Sequence, residues 1–177
     1  MDFTENTLST KEVYNGKIMQ VKVDTIQLPN GNQSKRELVV LSGASAVLAI
    51  KDGCVLLVKQ YRKAVEKILI EIPAGKLEKD EDPVICAQRE LEEETGYASN
   101  KLDKLGIFDP SPGCLVETIH LFYTNDLKKT RIHPDEDEFI EPLLIPIKEV
   151  DKMILNGEIT DGKTVCAMAH YHLRNNQ

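Results

Sequence analysis

No apolar run in this chain approaches the roughly 20 residues that a membrane-spanning helix needs, so no membrane partner is expected. Nor does any N-terminal stretch join a basic region to an apolar run, as a secretory signal would; the expected location is cytoplasmic. Basic charge is in short supply. With 22 Lys and Arg against 29 Asp and Glu, the net charge of −7 argues against a nucleic-acid backbone as partner. The four cysteines, at 54, 86, 114 and 166, are far apart and contain no C-x-x-C pair. That leaves no zinc-ligand spacing, and they are expected to be buried or partly buried free thiols in a reducing compartment. The four histidines, at 120, 133, 170 and 172, form no ligand pattern. Internal repeats and low-complexity segments are missing too.

What is present is an ordinary charged and apolar composition in 177 residues, long enough for a real core. The acid is unevenly spread. Much of it lies between Gly75 and Tyr97, GKLEKDEDPVICAQRELEEETGY, and in a second run, HPDEDEFIE, near residue 135. Localised acid suits cation sites better than general solubility.

The first stretch reads as loop, helix and turn. Asp82 is a natural N-cap, Pro83 fits the first helical turn, and Gly96 fits the position just past the end. Val84, Ala87 and Leu91, with Ile85 beside them, make a buried helical stripe. Glu90 and Glu94 are four apart, so their carboxylates lie one turn apart on one face; Arg89 and Glu93 are also four apart and can pair. Like charges at this spacing repel by a few tenths of a kcal/mol, and the helix dipole disfavours anions near its C-terminus. Such a face is either solvated or neutralised by a cation. Magnesium, which takes oxygen ligands and shares them with waters and substrate phosphates, is the fitting cation.

Elsewhere, residues 17–28 alternate as a strand, Pro29-Asn30-Gly31-Asn32 is a turn, and residues 36–41 are the return strand. Residues 1 to about 10 are polar and expected to be loosely held. Since a lone hairpin is marginal in water, this one needs a packing surface, such as a partner subunit. Ala44–Ile50 and Cys54–Tyr61 are central strands, followed by strands at 69–72, 104–108, 118–123 and 139–147. Helices are expected at 147–155 and 163–173, the second with a stripe at Val165, Met168, Ala169 and His172. Strands interleaved with helices make an α/β layered domain.

The spacing G-x5-E-x7-R-E-L-x-E-E-x-G-Y, starting at Gly75, matches every position of the box of the Nudix hydrolases, with Tyr97 where an aliphatic residue is commoner. At average residue frequencies this combination should arise at a given start far less than about once in a million. The flanking Gln60-Tyr61-Arg62, Glu71-Ile72-Pro73-Ala74-Gly75-Lys76-Leu77-Glu78 and Ser111-Pro112-Gly113, with Pro112 placed 16 residues after Gly96, resemble the ADP-ribose pyrophosphatase branch.

The resemblance implies a Nudix α/β/α sandwich with a mixed sheet over residues 43–177. A small N-terminal β-hairpin extension over 1–42 would form a homodimer. It implies hydrolysis of ADP-ribose to AMP and ribose 5-phosphate with two or more magnesium ions, manganese being a possible substitute. Glu90, Glu94 and the Ala74 carbonyl are the implied metal ligands, with Glu93 close by, and Arg89 orients the glutamates. Arg36 and Arg62 match substrate-contacting arginines, and Glu117 a glutamate that contacts the terminal ribose from the partner subunit. Glu136 or Glu138 matches a loop base. Two departures, Cys114-Leu115-Val116 after the Ser-Pro-Gly and Ser42-Gly43 where proline-glycine is common, bear on sugar selectivity. The rival readings are hydrolysis of other nucleoside diphosphate sugars or dinucleotides, and a catalytically silent module that binds ADP-ribose.

Overall fold

The computed structural model describes residues 2–134 and 138–175. In chain order the elements are β1 (Asn6–Asn15), β2 (Gln20–Gln27), β3 (Gln33–Val40), β4 (Ala44–Lys51), β5 (Cys54–Arg62), β6 (Lys67–Glu71) and β7 (Ala74–Lys76). Then come α1 (Pro83–Thr95), β8 (Tyr97–Ala98), β9 (Asp103–Phe108), β10 (Leu115–Val116), β11 (Ile119–Thr124) and β12 (Lys128–Lys129). The chain closes with β13 (Ile140–Pro146), α2 (Ile147–Leu155) and α3 (Gly162–Asn175).

Two compact units result. The first holds the residues up to Gly43 together with Asp109–Thr118. Its strands β1, β2 and β3 form an antiparallel meander, and β10 adds to β3 in parallel. The turn between β2 and β3 closes with Leu28 N–H to the Asn32 carbonyl at 2.8 Å and Gly31 at φ +86°. The segment expected to be loosely held is instead strand β1. Its residues are all exposed, so it shows no apolar alternation. What holds it is backbone pairing to β2 and the bond from Thr10 Oγ1 to buried Asp24 at 2.7 Å.

The second unit, Ala44–Phe108 with Ile119 onward, is built on a mixed sheet in the order β13-β5-β4-β11-β9. β4 runs antiparallel to β5 and parallel to β11, while β6 and β7 add to β5 and β4. β4 is buried on both faces, and its side chains alternate between two cores. Ala44, Ala46 and Leu48 pack with Leu57, Leu121, Ala167 and Met168 toward α2 and α3. Val47 and Ala49 pack with Leu56, Ala87, Leu91 and Phe122 toward α1. This is the expected α/β/α sandwich.

Two helical faces differ from the sequence reading. Ile85 is exposed, so the buried stripe of α1 is Ala87 and Leu91 with Cys86. On α3 the buried residues are Thr164, Ala167 and Met168, one position round from the expected stripe. Val165, Ala169 and His172 line a surface groove with Ile154 and Leu155 of α2. The shift follows from Thr164. Its hydroxyl is satisfied by Asp161 at 2.7 Å and by the Ile72 N–H at 2.9 Å, so a polar residue can be fully buried there. The cysteines are all free thiols, but Cys114 is exposed rather than buried.

Candidate functional site

Helix α1 is capped as its sequence suggests. The Asp82 carboxylate accepts the Val84 N–H at 2.9 Å, Pro83 fills the first turn, and Gly96 ends the helix at φ +68° with its N–H on the Glu92 carbonyl. These stops place Glu90, Glu93 and Glu94 in the last two turns, beside the short strand β7.

Arg89 ties the acidic cluster together. Its Nε and Nη2 reach the two oxygens of Glu81 at 3.1 and 3.2 Å. Its Nη1 is shared between Glu90 at 2.7 Å and Glu93 at 3.1 Å. Two carbonyls of β7 and a thiol complete the cradle: Cys86 Sγ, under Arg89, donates to the carbonyls of Gly75 and Lys76. Burial pushes that thiol up to about 12, so it stays protonated as a donor.

The turn from β6 into β7 meets α1 at two points. The Ala74 N–H donates to Glu94 at 3.0 Å. Gly75 lies against Glu90 so closely that a Cβ there would fall 1.8 Å from a carboxylate oxygen. The amide of Ala74 therefore faces the helix. Glu94 is 2% exposed and Glu90 9%, so both carboxylates are withdrawn from bulk water, and Glu94 is also a structural acceptor of the Ala74 N–H.

Burial dominates the electrostatics. It pushes the Glu94 carboxyl up to about 8, with the charges of Glu90 and Glu138 adding to the rise while the Ala74 N–H and Arg62 oppose it. Glu90 is raised too, first by burial and then by Glu93 and Glu138, against the pull of Arg89. Two buried carboxylates that resist ionisation, backed by an arginine rather than screened by water, make a donor set that a divalent cation fits. Among the described residues, no group of three or more His, Cys, Asp or Glu is placed to hold a metal ion, so the set rests on two carboxylates and leaves room for other ligands. An open, oxygen-only set suits a cation that keeps waters and binds substrate phosphates.

Of the two candidate loop glutamates, Glu136 lies outside the described residues. Glu138 is exposed, and its charge reaches both Glu90 and Glu94. The chain leading to it is anchored on α1, with His133 N–H on the Glu93 carbonyl at 3.1 Å and Thr130 N–H on that of Gly96 at 2.8 Å.

Arg62, at the end of β5, is held in a fork by Glu71, with Nε at 2.8 Å and Nη2 at 2.9 Å. Its charge reaches Glu94. Lys163 and Asp161, which the sequence reading did not single out, complete this cluster from the start of α3. The one local signal was Asp161 as an N-cap three residues before Thr164. Arg36 and Glu117 belong to the first compact unit, where Arg36 pairs with Glu5 through Nε at 3.0 Å. Its fork to Glu5 also uses Nη2.

Sequence comparison places this geometry among known proteins. Residues 41–168 match the NUDIX domain, and residues 5–39 match the nucleoside diphosphate sugar hydrolase N-terminal domain. The chain is 42% identical over 173 residues to an ADP-ribose pyrophosphatase of Bacillus subtilis (strain 168), covering 96% of this chain and 94% of that one. It is 43% identical over 175 residues to a methanol dehydrogenase activator of Bacillus methanolicus, covering 97% and 95%. A crystal structure of an ADP compounds hydrolase superposes with a TM-score of 0.85 over 97% of this chain and 95% of that chain at 18% identity, a likeness of fold.

Proposed function

Because this chain belongs to the NUDIX domain family, we propose that it hydrolyses the diphosphate of ADP-ribose to AMP and ribose 5-phosphate. It is a pyrophosphohydrolase, an enzyme of phosphoric anhydride bonds. The observation that carries the reading is the assembled carboxylate face. Glu90, Glu93 and Glu94 sit on one side of α1: Arg89 bonds Glu90 and Glu93, Gly75 of β7 lies against Glu90, and the Ala74 N–H donates to Glu94.

The family needs a divalent metal, and magnesium, two or more ions, with manganese as a substitute, is the proposed one. When bound, such ions offset phosphate charge and lower the pKa of a coordinated water. Glu90, Glu94 and the Ala74 carbonyl would hold them, and Glu93 lies alongside. Glu138 is the proposed proton acceptor, since its charge already reaches both buried carboxylates; Glu136 is the alternative. The water oxygen bonds to one phosphorus, the bond from that phosphorus to the bridging oxygen breaks, and the water's proton goes to the glutamate. Arg62 would donate N–H bonds to the phosphate oxygens. Arg36 and Glu117 are proposed further substrate contacts, Glu117 to the terminal ribose.

The proposal extends to a cytoplasmic homodimer, with residues 1–42 as the assembling element and 43–177 as the catalytic domain. Its support is the exposed edge strand β1, which leaves Leu8, Val13 and Tyr14 uncovered. A second reading, hydrolysis of another nucleoside diphosphate sugar or a dinucleotide, is favoured by the match of residues 5–39.

Product analysis separates these. Incubation with ADP-ribose and magnesium should yield AMP and ribose 5-phosphate in equal amounts. No cleavage of ADP-ribose, with another sugar nucleotide cleaved, would move the substrate and keep the site. Tight binding with no cleavage of any substrate would restore the silent module.

A further inference from the structure

Glu71 is 1% exposed, yet it is bonded to two cations from different elements. Arg62 of β5 takes both of its oxygens, and Lys163 of α3 takes Oε2 at 2.9 Å. Neutralising one carboxylate needs only one of them. The second cation brings its own counter-charge: Lys163 Nζ lies 2.6 Å from Asp161 Oδ1. The other oxygen of Asp161 accepts from both the N–H and the hydroxyl of Thr164, at 2.9 and 2.7 Å. Thr164 Oγ1 in turn accepts the Ile72 N–H. The first turn of α3 thus grips two successive residues, Glu71 by its side chain and Ile72 by its backbone.

This grip bears on Arg62. A glutamate bonded only to a half-exposed arginine can swing with it. A glutamate also fastened to a helix cap cannot, and the plane of its carboxylate then sets the plane of the guanidinium, because fork and carboxylate are coplanar when bidentate. Of the five guanidinium N–H donors, the fork occupies two. The Arg62 side chain stays 40% exposed, and its charge reaches Glu94 in the acidic cluster.

We propose that Lys163 and Asp161 are positioning residues for Arg62, holding Glu71 so that the remaining N–H donors of Arg62 face the substrate's diphosphate. The proposal rests on the reading that Arg62 contacts that diphosphate. A cluster that served packing alone would show its loss in stability, and not in substrate binding that depends on Arg62.

The test is steady-state kinetics with ADP-ribose and magnesium on the full chain, or with whichever sugar nucleotide the enzyme cleaves. Lys163→Met keeps the stem and removes the ammonium. It should raise KM about tenfold with kcat within about threefold, while Lys163→Arg recovers most of the loss. In an Arg62→Gln background the same change should add less than about twofold, since the two residues act as one unit. Asp161→Asn keeps a cap for Thr164 and should raise KM about threefold; it carries the test if Lys163→Met does not fold. An unchanged KM in the Lys163 and Asp161 variants, or an equal Lys163→Met effect with and without Arg62, overturns the proposal. An unchanged KM in Arg62→Gln alone overturns the reading of Arg62 beneath it.

Discussion

Gly75 and Glu90 meet at the tightest contact of the acidic cluster. Gly75→Ala would place a methyl where a carboxylate oxygen now lies, 1.8 Å away, so Glu90 must move. A displacement of about 1 Å in such a group costs on the order of a hundredfold in rate; kcat should fall by that much while the far-ultraviolet circular dichroism is unchanged. Glu71 makes the pH prediction. Burial alone would raise its carboxyl, but the bond from Arg62 and the charge of Lys163 outweigh it and hold it below the ordinary 4.5. A lowered carboxylate stabilises the fold above its unfolded value and loses that contribution as pH falls through the folded one. Glu71→Gln should therefore cost on the order of 2 kcal/mol near neutral pH. The gap in Tm between the two proteins should narrow below about pH 4.5. A gap that widens in acid would mean that the sign is wrong.

Helix α1 is a device for delivering carboxylates, and its ends set where they go. Asp82→Ala removes the bond to Val84 and should cost about 1 kcal/mol. Gly96 stands at φ +68°, and a Cβ there would meet the Ile132 backbone nitrogen at 2.9 Å. Gly96→Ala therefore carries two penalties, left-handed backbone and displacement of the segment leading to Glu138. It should cost more than about 1 kcal/mol and lower kcat as well, whereas the cap variant should lower stability alone. Denaturant melts paired with kinetics separate the two. The cap, the proline, the glycine and the four box glutamates were all legible because each acts within one helix and its flanks. The stripe of α3 was misread by one position because Thr164 looks polar, and its hydroxyl is matched only by Asp161 and by Ile72, 92 residues away. Strand β1 was missed because exposed backbone pairing leaves no apolar alternation to read.

At the scale of the molecule, a cation that binds the folded carboxylate face stabilises it by mass action, about 2.7 kcal/mol at a hundred times Kd. For a chain of this size that corresponds to roughly 5 to 10 °C in Tm. Adding magnesium to metal-stripped protein should raise Tm by about that much, EDTA should reverse it, and Glu94→Gln should lose most of the rise. Sedimentation velocity should show a species of about twice 19.9 kDa. A single 19.9 kDa species at micromolar concentration would remove the homodimer.

By itself the sequence determined the family, the sandwich and the acidic face of α1, because the residues of that face lie within one loop, one helix and one turn and their spacing is their geometry. Tertiary structure alone decided the setting of that face. It buried Glu94 against the Ala74 amide, pressed Gly75 onto Glu90, and brought Lys163 to Glu71 across 92 residues. Contacts of that kind depend on how β6 and the start of α3 pack on the same sheet, and no local spacing encodes that distance.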